Sequence, residues 1–152
     1  MERQASMADK IEGYKEHVEA DMEARLVWDQ DLVFTASTRR GYDMEFDAKV
    51  QMGCMPLEGL LLSLAGCMAI DVVSILQKMR CQLVSMSMKI HAKRSETPPQ
   101  RLRSVILELF LKGEGLAEEK VQRAVSLSAE KYCSVRHSLR EDIDIRTVYH
   151  IE

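Results

Sequence analysis

The sequence predicts an α+β domain with the element order β-β-β-α-β-β-α-β, its sheets expected to pair antiparallel. Three observations carry the prediction. Three short alternating runs follow one another near the N-terminus, a long apolar stretch with helical spacing fills residues 57–79, and two further alternating runs precede an amphipathic region and a last strand.

Residues 1–23 are highly charged. Ile11, Tyr14, Val18 and Met22 are spaced for a weak amphipathic helix, a frayed tail being the alternative, so they are read as an extension to a domain over 24–152. "ARLVW" (24–28), "LVFTAST" (32–38) and "YDMEFDA" (42–48) then read as a meander, separated by the turn-like "DQD" and "RRG". Tyr42, Met44 and Phe46 alternate with Asp43, Glu45 and Asp47, the period-2 pattern of a strand with one buried and one wet face.

Pro56 is a helix start signal. Behind it Leu57, Leu60, Leu61, Leu64, Met68, Val72, Ile75 and Met79 follow helical spacing on one side. Ser63, Cys67, Asp71, Ser74 and Lys78 make a narrow polar stripe on another. Ala65, Gly66 and Ala69 leave the backbone nearly bare around Cys67, so that a helix or a ligand can approach closely. A glycine inside a helix costs up to about 1 kcal/mol relative to alanine.

Met86, Met88, Ile90 and Ala92 alternate with polar residues as a fourth strand. Val105, Leu107, Leu109 and Leu111 form a fifth, which Ile106 and Phe110 make apolar on both faces, as expected of a strand covered on both sides. The second helical region lies within 112–142, its inner stripe traced by Val121, Val125, Ser128, Tyr132, Val135 and Leu139. "IDIRTVYHI" (143–151) is the last strand.

At 152 residues the chain fits one domain that buries roughly two-thirds of its unfolded surface. The net charge is −3 and the 21 Lys and Arg are scattered, which argues against a nucleic-acid surface. The start lacks a signal-peptide core, and Asp71 interrupts the apolar run before it reaches the roughly 18 residues of a membrane span. A soluble, cytoplasmic protein is expected. The four cysteines, Cys54, Cys67, Cys81 and Cys133, contain no CxxC pair, and so give neither a disulfide framework nor a zinc spacing. Cys54 and Cys81 are read as small apolar residues; for Cys67 that reading competes with a reactive thiol.

"PLEGLLLSLAGCMAIDVVSIL" (56–76), followed by "SLSAEKYCSV" (126–135), resembles the OsmC/Ohr family of thiol-dependent peroxidases, in its OsmC-like branch. The resemblance covers residues 24–152. It implies a peroxidatic thiol at Cys67, a resolving thiol at Cys133, and an intertwined homodimer with sheets around central helices and sites at the subunit interface. It also implies an organic hydroperoxide as substrate, an external dithiol as reductant, and no cofactor or metal. A thiolate can attack the terminal oxygen of a hydroperoxide, and a second thiol within reach can condense with the resulting sulfenic acid.

The chain departs from the family pattern in three places. The resemblance puts an acid after the helix-starting Pro, where Leu57 stands here with Glu58 one residue on. It puts an Arg against the thiolate, but residues 26–38 contain none, and Arg39 and Arg40 read as solvated hairpin residues. Ser134 replaces the Pro that follows the second Cys, and a serine there is able to cap a helix break.

Two other functions fit the same residues: a noncatalytic binding protein for a small apolar or thiol-bearing molecule, and a redox sensor whose output is the disulfide. Asp71 is read as structural, since a carboxylate beside a thiolate raises the thiol pKa. A metal at Cys67, Cys133, His137 and His91 lacks any spacing motif.

Overall fold

The computed structural model describes residues 20–152, which form two compact units, 20–61 and 62–152. The expected N-terminal extension lies mostly outside the described residues. The predicted element order is the observed one.

In the first unit, β1 (Ala24–Gln30), β2 (Val33–Thr38) and β3 (Asp43–Asp47) pair antiparallel in the order β1-β2-β3. Asp31 and Gly41, with φ of 48° and 82°, supply the left-handed backbone that the two turns need. The Asp47 carboxylate accepts the N–H groups of Lys49, Gln51 and Met52 and so shapes the loop after β3. Every residue of β1 is exposed, Leu26 and Trp28 included, and Arg39 and Arg40 stand in solvent as expected of a hairpin.

Helix α1 (Pro56–Lys78) begins at the predicted proline. The Glu58 carboxylate accepts the Met55 N–H at 2.8 Å, satisfying a donor at the helix start. Gly59 is buried, and a Cβ there would come within 2.9 Å of the Phe46 ring, so the bare backbone lets β3 pack against the first turns. By length and composition α1 could cross a membrane despite Asp71. Leu64, Met68, Val72 and Leu76 are nevertheless fully buried within the protein, as in a core helix.

The second unit contains β4 (Gln82–Arg94), β5 (Leu102–Glu114) and β6 (Asp144–Ile151), in the order β4-β5-β6. Val105, Leu107, Leu109 and Leu111 of β5 are buried at every second position and supply the sheet's side of the core. The Thr147 hydroxyl of β6 lies 3.8 Å from the Met68 sulfur of α1.

Three expectations are corrected. The β4–β5 pair is antiparallel but β5–β6 is parallel, because the connection between them contains helices and is long enough to return the chain to the same end of the sheet. The outer face of β5 is not covered by a second layer: Ile106 is 41% exposed. Phe110 is instead flanked by His150, stacked at 4.8 Å, and by the Lys89 ammonium, 5.2 Å from the ring centre.

The third correction concerns the second helical region, which is not continuous. Helix α2 (Glu118–Leu127) passes into a π-helical turn (Ser128–Tyr132), then an extended Cys133, then a short helix α3 (Ser134–Ser138). The buried stripe accordingly runs through Val121, Val125 and Ser128 but loses Tyr132, which is 38% exposed.

Gly113 tests the β4–β5 register. A Cβ at this position would lie 2.1 Å from the Gln82 carbonyl oxygen, and backbone cannot step aside as a side chain can. Gly113→Ala is expected to destabilise the protein by roughly 1–3 kcal/mol in urea unfolding. A change within error would show that the hairpin is not registered this way.

Candidate functional site

Cys67 sits about three turns into α1, half-buried on its polar stripe. Cys133 is fully buried at the break between the π-helical turn and α3. The fold brings these thiols, distant in sequence, close enough that each acts on the ionisation of the other. Both are free thiols.

Local backbone chemistry places Cys133. Its N–H donates to the Ser128 carbonyl at 2.8 Å, closing the π-type turn. Its sulfur accepts the Arg136 N–H at 3.4 Å, so Cys133, and not Ser134, caps α3. That frees the Ser134 hydroxyl to lie 3.8 Å from the Cys67 sulfur. Beside it the Val135 N–H helps to stabilise the Cys67 thiolate.

These neighbours separate the two thiols electrostatically. Burial pushes the Cys67 thiol up, but hydrogen bonds from the Val135 N–H, the Cys133 thiol and the Ser134 hydroxyl outweigh it, leaving Cys67 below its ordinary 9.0 even against the Asp71 charge. Burial raises Cys133 to about 11, and the Cys67 and Asp71 charges add to the rise against the Arg136 N–H. A pair split this way has one member that ionises readily and one that stays a proton donor.

The sign of the pH dependence follows. Cys67 gains thiolate below pH 9.0, whereas Cys133 stays protonated until about pH 11. Iodoacetamide labelling followed by peptide mass analysis is expected to show Cys67 titrating below the ordinary thiol range and Cys133 inert through neutral pH. Equal midpoints for the two cysteines would contradict the assigned neighbours.

Asp71, one turn beyond Cys67, is 2% exposed and accepts the Ser128 hydroxyl at 2.8 Å. His137 faces two backbone carbonyls, its Nδ1 2.8 Å from Cys133 O and its Nε2 3.0 Å from Glu130 O. Both ring nitrogens thus face backbone carbonyls and not the Cys67 sulfur. His91 lies instead near Glu108 of the outer sheet face. Among the described residues no cluster of three or more His, Cys, Asp or Glu is arranged to hold a metal ion.

Comparison with known proteins bears on the family and the fold. The family described as OsmC-like protein matches residues 47–148. The chain belongs to the OsmC-like family. Protein YhfA of Escherichia coli K12 is 37% identical over 131 residues, covering 86% of this chain and 98% of that protein. Among solved structures, a hypothetical protein from Aquifex aeolicus VF5 superposes with a TM-score of 0.81 at 26% identity, covering 88% and 98% of the two chains. The organic hydroperoxide resistance protein OhrB of Bacillus subtilis shares the fold with a TM-score of 0.57 at 15% identity, covering 84% and 98%.

Within this OsmC-like chain, the residues that sequence reasoning missed are Ser134 as a neighbour of Cys67 and Val135 as an N–H donor. The substitution of Ser134 for Pro was the only signal for the first. Nothing in the sequence marks the second, because a backbone donor becomes visible only once the helix break is known. Cys81 has a structural place: its thiol donates to the Gly115 carbonyl at 3.2 Å.

Proposed function

We propose that this OsmC-like protein reduces organic hydroperoxides, with Cys67 as the peroxidatic thiol and Cys133 as the resolving thiol. The observation that carries the reading is the pairing of a half-buried thiol held below its ordinary pKa with a buried one held above it, in reach of each other. The Cys67 thiolate attacks the terminal oxygen of ROOH. The O–O bond breaks, ROH leaves once protonated, and Cys67 becomes a sulfenic acid. The Cys133 thiol then attacks the Cys67 sulfur, water leaves, and a disulfide forms. An external dithiol reduces it, supplying two electrons and two protons. No bound cofactor enters these steps.

Among the described residues, the groups that stabilise the Cys67 thiolate are the Val135 N–H, the Cys133 thiol and the Ser134 hydroxyl, where the family resemblance sets an Arg. The decisive assay is consumption of cumene hydroperoxide with excess dithiothreitol. Many turnovers per protein are expected; none above the uncatalysed background would favour a noncatalytic binding protein or a slow redox sensor.

A homodimer, in the cytoplasm, is part of the proposal. Leu62 and Ile70 of α1 are 57% and 53% exposed, and with Gly66, Met86 and Met88 they line an open apolar groove of about 490 Å³. Contiguous apolar surface of this kind suits a protein contact or an apolar substrate. Sedimentation as a monomer at micromolar concentration would contradict the dimer.

A further inference from the structure

We propose that Asp71 is a positioning residue for the cysteine pair: through the Ser128 hydroxyl it fixes the π-helical turn that delivers Cys133 and the Val135 N–H to Cys67. The inference rests on the proposed roles of the two cysteines and assigns a role to two residues that those steps leave unused.

A closed circuit of contacts supports it. Asp71 stands one turn beyond Cys67 on α1, so the two move as one rigid element. Its carboxylate accepts the Ser128 hydroxyl at 2.8 Å, with Asp71 2% and Ser128 0% exposed. The Ser128 carbonyl in turn accepts the Cys133 N–H at 2.8 Å. Cys133 reaches back to Cys67, and the next two residues supply the Ser134 hydroxyl and the Val135 N–H. Ser128 therefore holds α1 with its side chain and Cys133 with its backbone. A π-type turn is uncommon and adds a residue to the helix, which is what rotates Cys133 into place.

The tether has a cost in charge. Among the described residues, the titratable groups acting on Cys67 are Cys133 at the helix break and Asp71 on α1, and the Asp71 carboxylate opposes ionisation of both thiols. His137 of α3 turns its ring nitrogens to carbonyls. An asparagine at 71 would keep an acceptor for Ser128 while removing the charge, which separates the two effects of the residue.

The test uses the full chain in four forms: wild type, Ser128→Ala, Ser128→Thr and Asp71→Asn. Two quantities are read, the rate of Cys67–Cys133 disulfide formation with diamide and the pH midpoint of Cys67 alkylation. Diamide takes two electrons and two protons from the thiols and becomes the hydrazine, so this readout needs no peroxidase activity. Ser128→Ala is expected to slow disulfide formation roughly 10- to 100-fold, the scale of a small misplacement of reacting groups, and to raise the Cys67 midpoint. Ser128→Thr restores both. Asp71→Asn keeps the disulfide rate within about threefold of wild type while lowering the midpoint.

Wild-type rate and midpoint in Ser128→Ala would overturn the proposal. Should Ser128→Ala fail to fold, a disulfide slowed well beyond about threefold in Asp71→Asn, or a slow disulfide in Ser128→Thr, would overturn it instead. A wild type that forms the disulfide with diamide but ignores hydroperoxide counts against the peroxidase reading alone; one that forms no disulfide with diamide overturns the tether.

Discussion

Cys67→Ser is expected to abolish hydroperoxide consumption, a loss of at least roughly 10³-fold, because a serine hydroxyl at this position is neither ionised at neutral pH nor assisted by a base. Cys133→Ser is expected to behave differently. Its Cys67 keeps the Val135 N–H and the Ser134 hydroxyl, so about one equivalent of hydroperoxide is consumed before turnover stops at the sulfenic acid. With further oxidant Cys67 then advances to the sulfinic acid, a gain of about 32 mass units. Stopped-flow consumption and intact mass read both outcomes. Full turnover by Cys133→Ser would show that an external thiol resolves Cys67 directly and that the buried cysteine serves only as the helix cap.

The second large effect is on stability. Leu107 lies on the buried face of β5, the central strand of its sheet, and has no exposed surface. Leu107→Ala removes buried methyl groups and leaves a cavity, at about 2–5 kcal/mol. Ile106, its neighbour in sequence, is 41% exposed on the opposite face, so Ile106→Ala is expected to cost below about 1 kcal/mol. Urea unfolding of the pair checks the strand's orientation directly: equal losses would mean that both faces of β5 are covered.

The alternation in β5 and the helical spacing of α1 were legible because side-chain period reports secondary structure directly, whereas β3 is a strand without the expected buried face, Tyr42 and Met44 being exposed and Asp47 buried. Strand partners were less so. Period 2 says that Val148 and Ile106 lie in strands, but not that β6 runs parallel to β5, which depends on how far the intervening segment travels. The helix break at Cys133 was also hidden, since neither proline nor glycine marks it. Its cause is a π-type hydrogen bond from Cys133 to Ser128, a long-range consequence of where Asp71 stands. The two cysteines could be singled out through their motifs. The donors that distinguish them electrostatically could not, since Val135 contributes a backbone N–H that every residue but proline possesses. Glu58, one residue beyond the place the resemblance gives an acid, accepts the Met55 N–H at the helix start.

The central claim is that Cys67 and Cys133 form one redox pair. Intact mass and peptide mapping of the reduced protein after one equivalent of cumene hydroperoxide test it most directly. The account predicts a loss of about two mass units, a Cys67–Cys133 cross-linked peptide, and return to the reduced mass with dithiothreitol. An unchanged mass, or a disulfide that joins Cys54 or Cys81 instead, would contradict it.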